Sequence, residues 1–195
     1  MGFSAVKEKR NADAIPHLDL CLEENLPAEH KAFGLQLRAS ALADLKRWRE
    51  AARDQQRSIS LTKPTDVWAH VMLGAYLRED GRFTEALAAL EAAKAFDEDG
   101  PGTGPGMAVY YHTGQTLQRA GRHREAIEAF TLGIPKQPDY GYAHFYRALS
   151  YEALGDRVQA KRDLFRVWQL RPKDGYEQNI ADKLMEYGFE VKVRE

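Results

Sequence analysis

Asp139–Pro172 reads DYGYAHFYRALSYEALGDRVQAKRDLFRVWQLRP. Two helical patterns meet in it at Gly155-Asp156. Before the break, Tyr142, Phe145, Tyr146, Leu149 and Ala153 recur every three or four residues. After it, Val158, Leu164, Val167 and Trp168 do the same. Each set is the apolar stripe of a helix, and the glycine between them is a breaker. Pro172 stops the second pattern, because it has no backbone N–H and its ring clashes with the preceding turn. The segment is a helical hairpin.

The hairpin recurs along the chain. A step back of 34 residues carries Ala160, Gly155, Ala148 and Pro172 onto Ala126, Gly121, Gly114 and Pro138. A step of 40 then lands on Ala86, Gly81, Gly74 and Glu98, and a step of 34 on Ala52, Arg47, Ser40 and Pro64. A last step of 38 reaches Ala14, in a half-unit. The steps are one 34-residue unit with 0, 6, 0 and 4 extra residues. The six fit Asp99–Gly106, DGPGTGPG, a loop by composition.

This pattern resembles the tetratricopeptide repeat (TPR) family, whose period is 34 residues. The small first-helix residue is Ser40, Gly74, Gly114 or Ala148, and the second-helix alanine is Ala52, Ala86, Ala126 or Ala160. The large residue after it is Gln56, Leu90, Phe130 or Leu164. The first full unit departs, with Arg47 in the glycine place and Gln56 in an apolar one; Glu98 replaces a proline. The resemblance implies an all-α, right-handed α-α superhelix, a TPR-like solenoid with a C-terminal capping helix. One repeat domain is expected over residues 1–195: a half-repeat at 1–26, repeats at 28–64 and 65–98, the insertion at 99–106, repeats at 107–138 and 139–172, a capping helix at 174–187 and a tail at 188–195.

Composition narrows the class. Lys plus Arg is 28 and Asp plus Glu is 29, so no net charge draws the chain to nucleic acid or an acidic membrane. Cys21 is the one cysteine, which excludes an internal disulfide. No apolar run approaches the roughly 18 residues of a membrane span. Met1–Arg10 lacks the apolar core of a secretory signal. A cytoplasmic protein is the expectation.

In chain order, Ala12–Glu24 reads as a helix capped by Asn11, with Ile15, Leu18, Cys21 and Leu22 as its stripe and Pro16 as a bend. Ala28–Leu45 follows, with Phe33, Leu37, Ala41 and Leu45 on one face, then Trp48–Leu61, ended by Pro64. On that helix Arg49, Arg53 and Arg57 form a basic row, read as a solvated outer face in preference to an acidic partner's site. Thr65–Asp80 and Thr84–Phe96, then Met107–Ala120 and His123–Gly133, are the next hairpins. Asp174–Tyr187 is the capping helix: Asp174 and Glu177 are spaced as a capping box, and Ile180, Leu184 and Tyr187 are its apolar face. Phe189, Val191 and Val193 alternate with charges, read as a tail in preference to a strand.

No chemistry-bearing motif appears. The six histidines match no metal-ligand spacing, and one cysteine excludes Cys-rich zinc sites. His70 and His144 occupy equivalent places and read as packed residues in preference to ligands. Gly100–Gly106 follows no strand and lacks a phosphate-binding lysine. No enzyme, cofactor or metal is expected. The resemblance implies instead a concave groove lined by first helices that binds a peptide or helix of a partner protein. By alignment the lining is Arg38 and Ala41; Trp68, Val71, Met72, Ala75 and Arg78; Tyr111, His112, Gln115 and Arg119; and Tyr142, Phe145, Tyr146 and Leu149. Phe145 and Leu149 read better as core beneath the last helix. The family's carboxylate-clamp places hold Leu37, Ala41, Val71 and Ala75, which leaves that clamp unformed. The alternatives are a self-associating, homo-oligomeric module or the regulatory part of a larger assembly.

Overall fold

The structure, a computed structural model, describes residues 2–62, 67–98, 106–170 and 177–189. Among these there are helices and turns but no strand. In chain order the helices are α1 (Gly2–Glu23), α2 (Ala28–Asp44), α3 (Trp48–Leu61), α4 (Val67–Glu79), α5 (Phe83–Glu98), α6 (Met107–Arg119), α7 (His123–Gly133), α8 (Gly141–Ala153), α9 (Arg157–Leu170) and α10 (Glu177–Glu186). A short 3-10 turn, Ile134–Lys136, follows α7. Helices α2 and α3, α4 and α5, α6 and α7, and α8 and α9 pair as hairpins. Pro64, Asp174, Val191 and Val193 lie outside the described residues. The chain divides into two compact units, Met1–Gly104 and Pro105–Glu195.

The hairpin turns share one device. Arg47, Arg82, Arg122 and Asp156 each donate a backbone N–H five residues back, to Leu42, Leu77, Leu117 and Tyr151. The residue just before each donor is left-handed: Lys46 at φ 59°, Gly81 at 80°, Gly121 at 74° and Gly155 at 78°. This is the Schellman close, which favours glycine at its left-handed position. In three turns the donor arginine then folds onto a glutamate three residues ahead: Arg47 on Glu50, Arg82 on Glu85, Arg122 on Glu125.

These turns correct the alignment of the first full unit by one residue. The glycine place belongs to Lys46, not Arg47. The small first-helix residue is therefore Ala39, fully buried, and the second-helix pair is Ala51 and Gln55. Gln55 tolerates its apolar place because its side-chain amide donates to the Ala69 carbonyl at 3.1 Å. Ala52 is buried as well, which is why the sequence offered both registers.

Other expectations shift too. Helix α1 begins at Gly2, so Asn11 is interior to it and donates to Asp44 at 2.8 Å instead of capping. Pro16 lies within the helix, and Cys21 is exposed. Phe33 and Leu37 point outward at 62% and 45% exposure; α2 buries Ala32, Leu35, Ala39 and Leu42 instead. Val158 is 71% exposed, because α9 turns Ala160, Asp163, Leu164 and Val167 inward.

In the first unit the core is small-residue packing: Ala39, Leu42, Ala51 and Ala52 meet Leu73, Tyr76, Leu77 and Ala86. In the second, Phe145, Ala148, Leu164 and Val167 meet Ile180 and Leu184 of α10, which covers the last hairpin. Gly188, at φ 81°, turns the chain so that Phe189 stacks on Phe165 with centroids 5.5 Å apart.

Candidate functional site

The corrected register decides which side chains each first helix presents. In the first unit Phe33 and Trp68 occupy one repeat position, and Leu37 and Met72 another. Phe33, Leu37 and Trp68 remain largely exposed, Trp68 at 55%. Burying such side chains is worth roughly 1.5–3 kcal/mol each, and these three forgo most of it. Trp68 and Met72, one turn apart on α4, flank a cleft of about 190 Å³. Gln36 and Ser40 line it from α2, and Gln55 and Tyr76 complete it. The cleft is apolar at one rim and offers amide and hydroxyl groups at the other.

The expected lining divides here. Val71 is fully buried, Ala75 nearly so, and both belong to the packed side of α4. Ala41 is likewise buried. Arg78 is buried and lies against Glu79 at 3.1 Å. Arg38 points away from this cleft altogether, donating to Asp54 at 2.6 and 2.8 Å and to Asp19 at 2.6 Å. Gln36 and Ser40, which line the cleft, and the exposed Phe33 and Leu37 were missed because the alignment was one residue out. What separates the registers is the left-handed backbone at Lys46, which the structure shows and the sequence does not signal.

In the second unit the structure brings Tyr111, Gln115, Tyr142 and Tyr146 into one aromatic wall. Tyr111 meets Tyr146 edge-on at 5.7 Å and Tyr140 at 5.2 Å. Tyr140 adjoins Tyr142 at 5.6 Å. Gln115 donates to the Tyr111 hydroxyl at 2.9 Å, and His112 packs edge-on against the same ring at 5.2 Å. Phe130, fully buried on α7, stacks behind Tyr146 at 6.4 Å. Burial raises the Tyr140 hydroxyl above its ordinary value, against the opposing hydrogen bond with Tyr111. Tyr140 was not expected, since it precedes α8 and so falls outside the helical period. Arg119 stands exposed at the end of α6, Phe145 is buried and Leu149 is half-buried against the α10 core.

His144 is a packed residue: its Nδ1 lies 3.3 Å from Asp163 and its Nε2 3.3 Å from the Pro138 carbonyl. Among the described residues no group of three or more His, Cys, Asp or Glu side chains is placed to hold a metal ion, and no helix is long and apolar enough to cross a membrane.

No protein-family model matches the sequence, and no curated protein matches it. Solved structures do. A crystal structure of MamA aligns at TM-score 0.69 and 21% identity, over 89% of this chain and 96% of that one. MamA 41-end from Desulfovibrio magneticus RS-1 gives 0.68 and 21%, over 89% and 94%. YrrB, described as a TPR protein with an unusual peptide-binding site, gives 0.65 and 18%, over 94% and 90%. At these identities the likeness is one of fold.

Proposed function

We propose that this chain, which has the tetratricopeptide fold, is a non-catalytic docking adaptor that holds an extended peptide or a helix of a partner protein. One observation carries the reading: the exposed row Phe33, Leu37 and Trp68, repeated at equivalent positions of two first helices beside a cleft. Exposed aromatic side chains with few rotors are the usual anchors of protein interfaces. Gln36 and Ser40 supply hydrogen-bonding groups that orient a backbone. The aromatic wall of Tyr111, Tyr142 and Tyr146 offers a similar surface in the second unit. That YrrB carries a peptide-binding site on a similar fold supports the class of ligand.

The test starts from peptides selected on the wild-type protein from a random display library, with affinity measured by fluorescence anisotropy. Trp68→Ala loses about 2 kcal/mol, roughly thirtyfold in affinity, with an unchanged helical spectrum. Phe33→Ala and Tyr111→Ala report on the row's other end and on the second unit's wall. Wild-type affinity in all three variants refutes the reading. Light scattering distinguishes a second copy of the chain as the occupant: a dimer that Trp68→Ala dissolves assigns the row to self-association.

A further inference from the structure

The first unit holds a second, larger cleft that the docking reading does not use. It has a volume of about 490 Å³ and lies between α1 and α3, with α2 as its floor. Residues 15, 19, 22 and 23 line it from α1, a spacing that defines one helical face. The floor is Arg38 and Leu42. At about 100° per residue these two lie on the opposite side of α2 from Phe33 and Leu37. The cleft and the exposed apolar row are therefore separate surfaces.

Its charges do not cancel pairwise. The lining holds four arginines, Arg38, Arg47, Arg53 and Arg57, and four acids, Asp19, Glu23, Glu50 and Asp54. Arg38 donates to both oxygens of Asp54 and to Asp19. Glu50 gives both oxygens to Arg47, and its carboxyl is held below the usual range chiefly by that contact. Three acids are thus engaged by two arginines. Among the described residues neither the Arg53 nor the Arg57 side chain makes a hydrogen bond or close ion pair, and Arg53 acts on Glu50 only through its charge. They stand one turn apart on α3, about 6 Å along the axis, where like charges repel. Arg49, the third member of that row, leans toward Asp80 at 3.7 Å, so the two that face the cleft are the ones left over.

We propose that Arg53 and Arg57 form a binding site for a peptide carboxylate. Two neighbouring guanidinium forks suit a planar carboxylate, which accepts on both oxygens. Ile15, Leu22 and Leu42 give the cleft an apolar part for the body that carries it. Glu23, the remaining acid, faces the same space and accepts from a ligand amide N–H. Four acids face four arginines, so the lining has no net positive charge to favour a dianion such as phosphate over a monoanion. The carboxylate belongs either to a chain terminus or to an acidic side chain.

The experiment is a backbone-amide NMR titration of the full chain with four probes. These are N-acetyl-leucine, its amide, the α-amide of N-acetyl-glutamate, and inorganic phosphate. The expected result is millimolar binding of the carboxylate probes, with shifts in α1 and α3, and none by N-acetyl-leucine amide. Stronger binding by N-acetyl-leucine assigns the site to a chain terminus, and by the glutamate derivative to a side chain. Arg53→Gln or Arg57→Gln weakens it about tenfold or more, the loss expected for a charge-assisted hydrogen bond. Both arginines are exposed and make no hydrogen bond or close ion pair, so these variants keep the fold. Trp68→Ala binds the probes as wild type does, which separates this site from the docking row. Equal binding of acid and amide, tighter binding of phosphate, or wild-type affinity in both arginine variants overturns the proposal.

Discussion

Asp163 is the place where one substitution should undo the last hairpin. Its carboxylate is buried on α9 and receives Arg147 Nε and Nη2, each at 2.7 Å, with His144 Nδ1 at 3.3 Å. Arg147 is itself mostly buried, and its remaining reach is to the Thr131 hydroxyl at 3.0 Å. Asp163→Leu leaves the guanidinium desolvated and uncompensated, which costs about 3–5 kcal/mol. Arg147→Met strands the carboxylate and costs a similar amount. Neither figure is the worth of the pair, since desolvation of both ions offsets most of their attraction. The double variant, apolar on both sides, should recover about 2–3 kcal/mol of the summed loss. Urea titration followed by circular dichroism measures all four proteins. The pair also sets an acid limit. The Arg147 guanidinium and His144 hold the Asp163 carboxyl below its ordinary value of 3.8 against the effect of burial. A depressed folded value means that its stabilisation is complete above that ordinary value and is lost as pH falls through the folded one. Asp163→Leu should flatten this acid limb. A single-variant cost under about 1 kcal/mol, or a double-variant cost equal to the sum, refutes the reasoning.

Gly114→Ala should destabilise by about 1–2 kcal/mol despite the better helix propensity of alanine. Its Cβ would lie 2.6 Å from two atoms of the buried Phe130 ring, so near-ultraviolet dichroism from the tyrosine wall should change with the urea midpoint. Lys46→Gly should stabilise by about 0.5–1 kcal/mol, read as a higher melting temperature, because a left-handed lysine carries a strain that glycine lacks. Leu184→Ala should cost about 2–4 kcal/mol in urea titration, since that side chain is fully buried between α10 and the last hairpin.

The helices were legible because their signals are local. Trp48–Leu61 and His123–Gly133 came out of the sequence with the bounds the structure shows, each started after a turn and ended by a breaker. The groove was less legible, because a lining residue is defined by the register of its whole unit. Two adjacent buried alanines, Ala51 and Ala52, made two registers equally good to a pattern that scores apolar residues. Only a backbone angle separates them, and a lysine at that angle does not announce it. One misplaced residue on a helix turns a side chain by about 100°, enough to move Arg38 from the expected groove to the opposite cleft.

That same correction makes sense of the polar core. Under the shifted register Arg38 and Arg147 stand at one repeat position, and Asp54 and Asp163 at another. Each pair joins the first helix of its hairpin to the second with a bidentate contact. The two middle units place Leu73 with Ala89, and Thr113 with Ala129, in those positions. An ionic bolt therefore recurs in the first and last full hairpins, while the middle two carry apolar or hydroxyl residues at those positions. A directional contact of this kind fixes the helix-to-helix register of each of these two hairpins. Swapping Leu73 and Ala89 for Arg and Asp tests this: both positions are already buried and apolar, so the transplanted pair should bring no gain in stability.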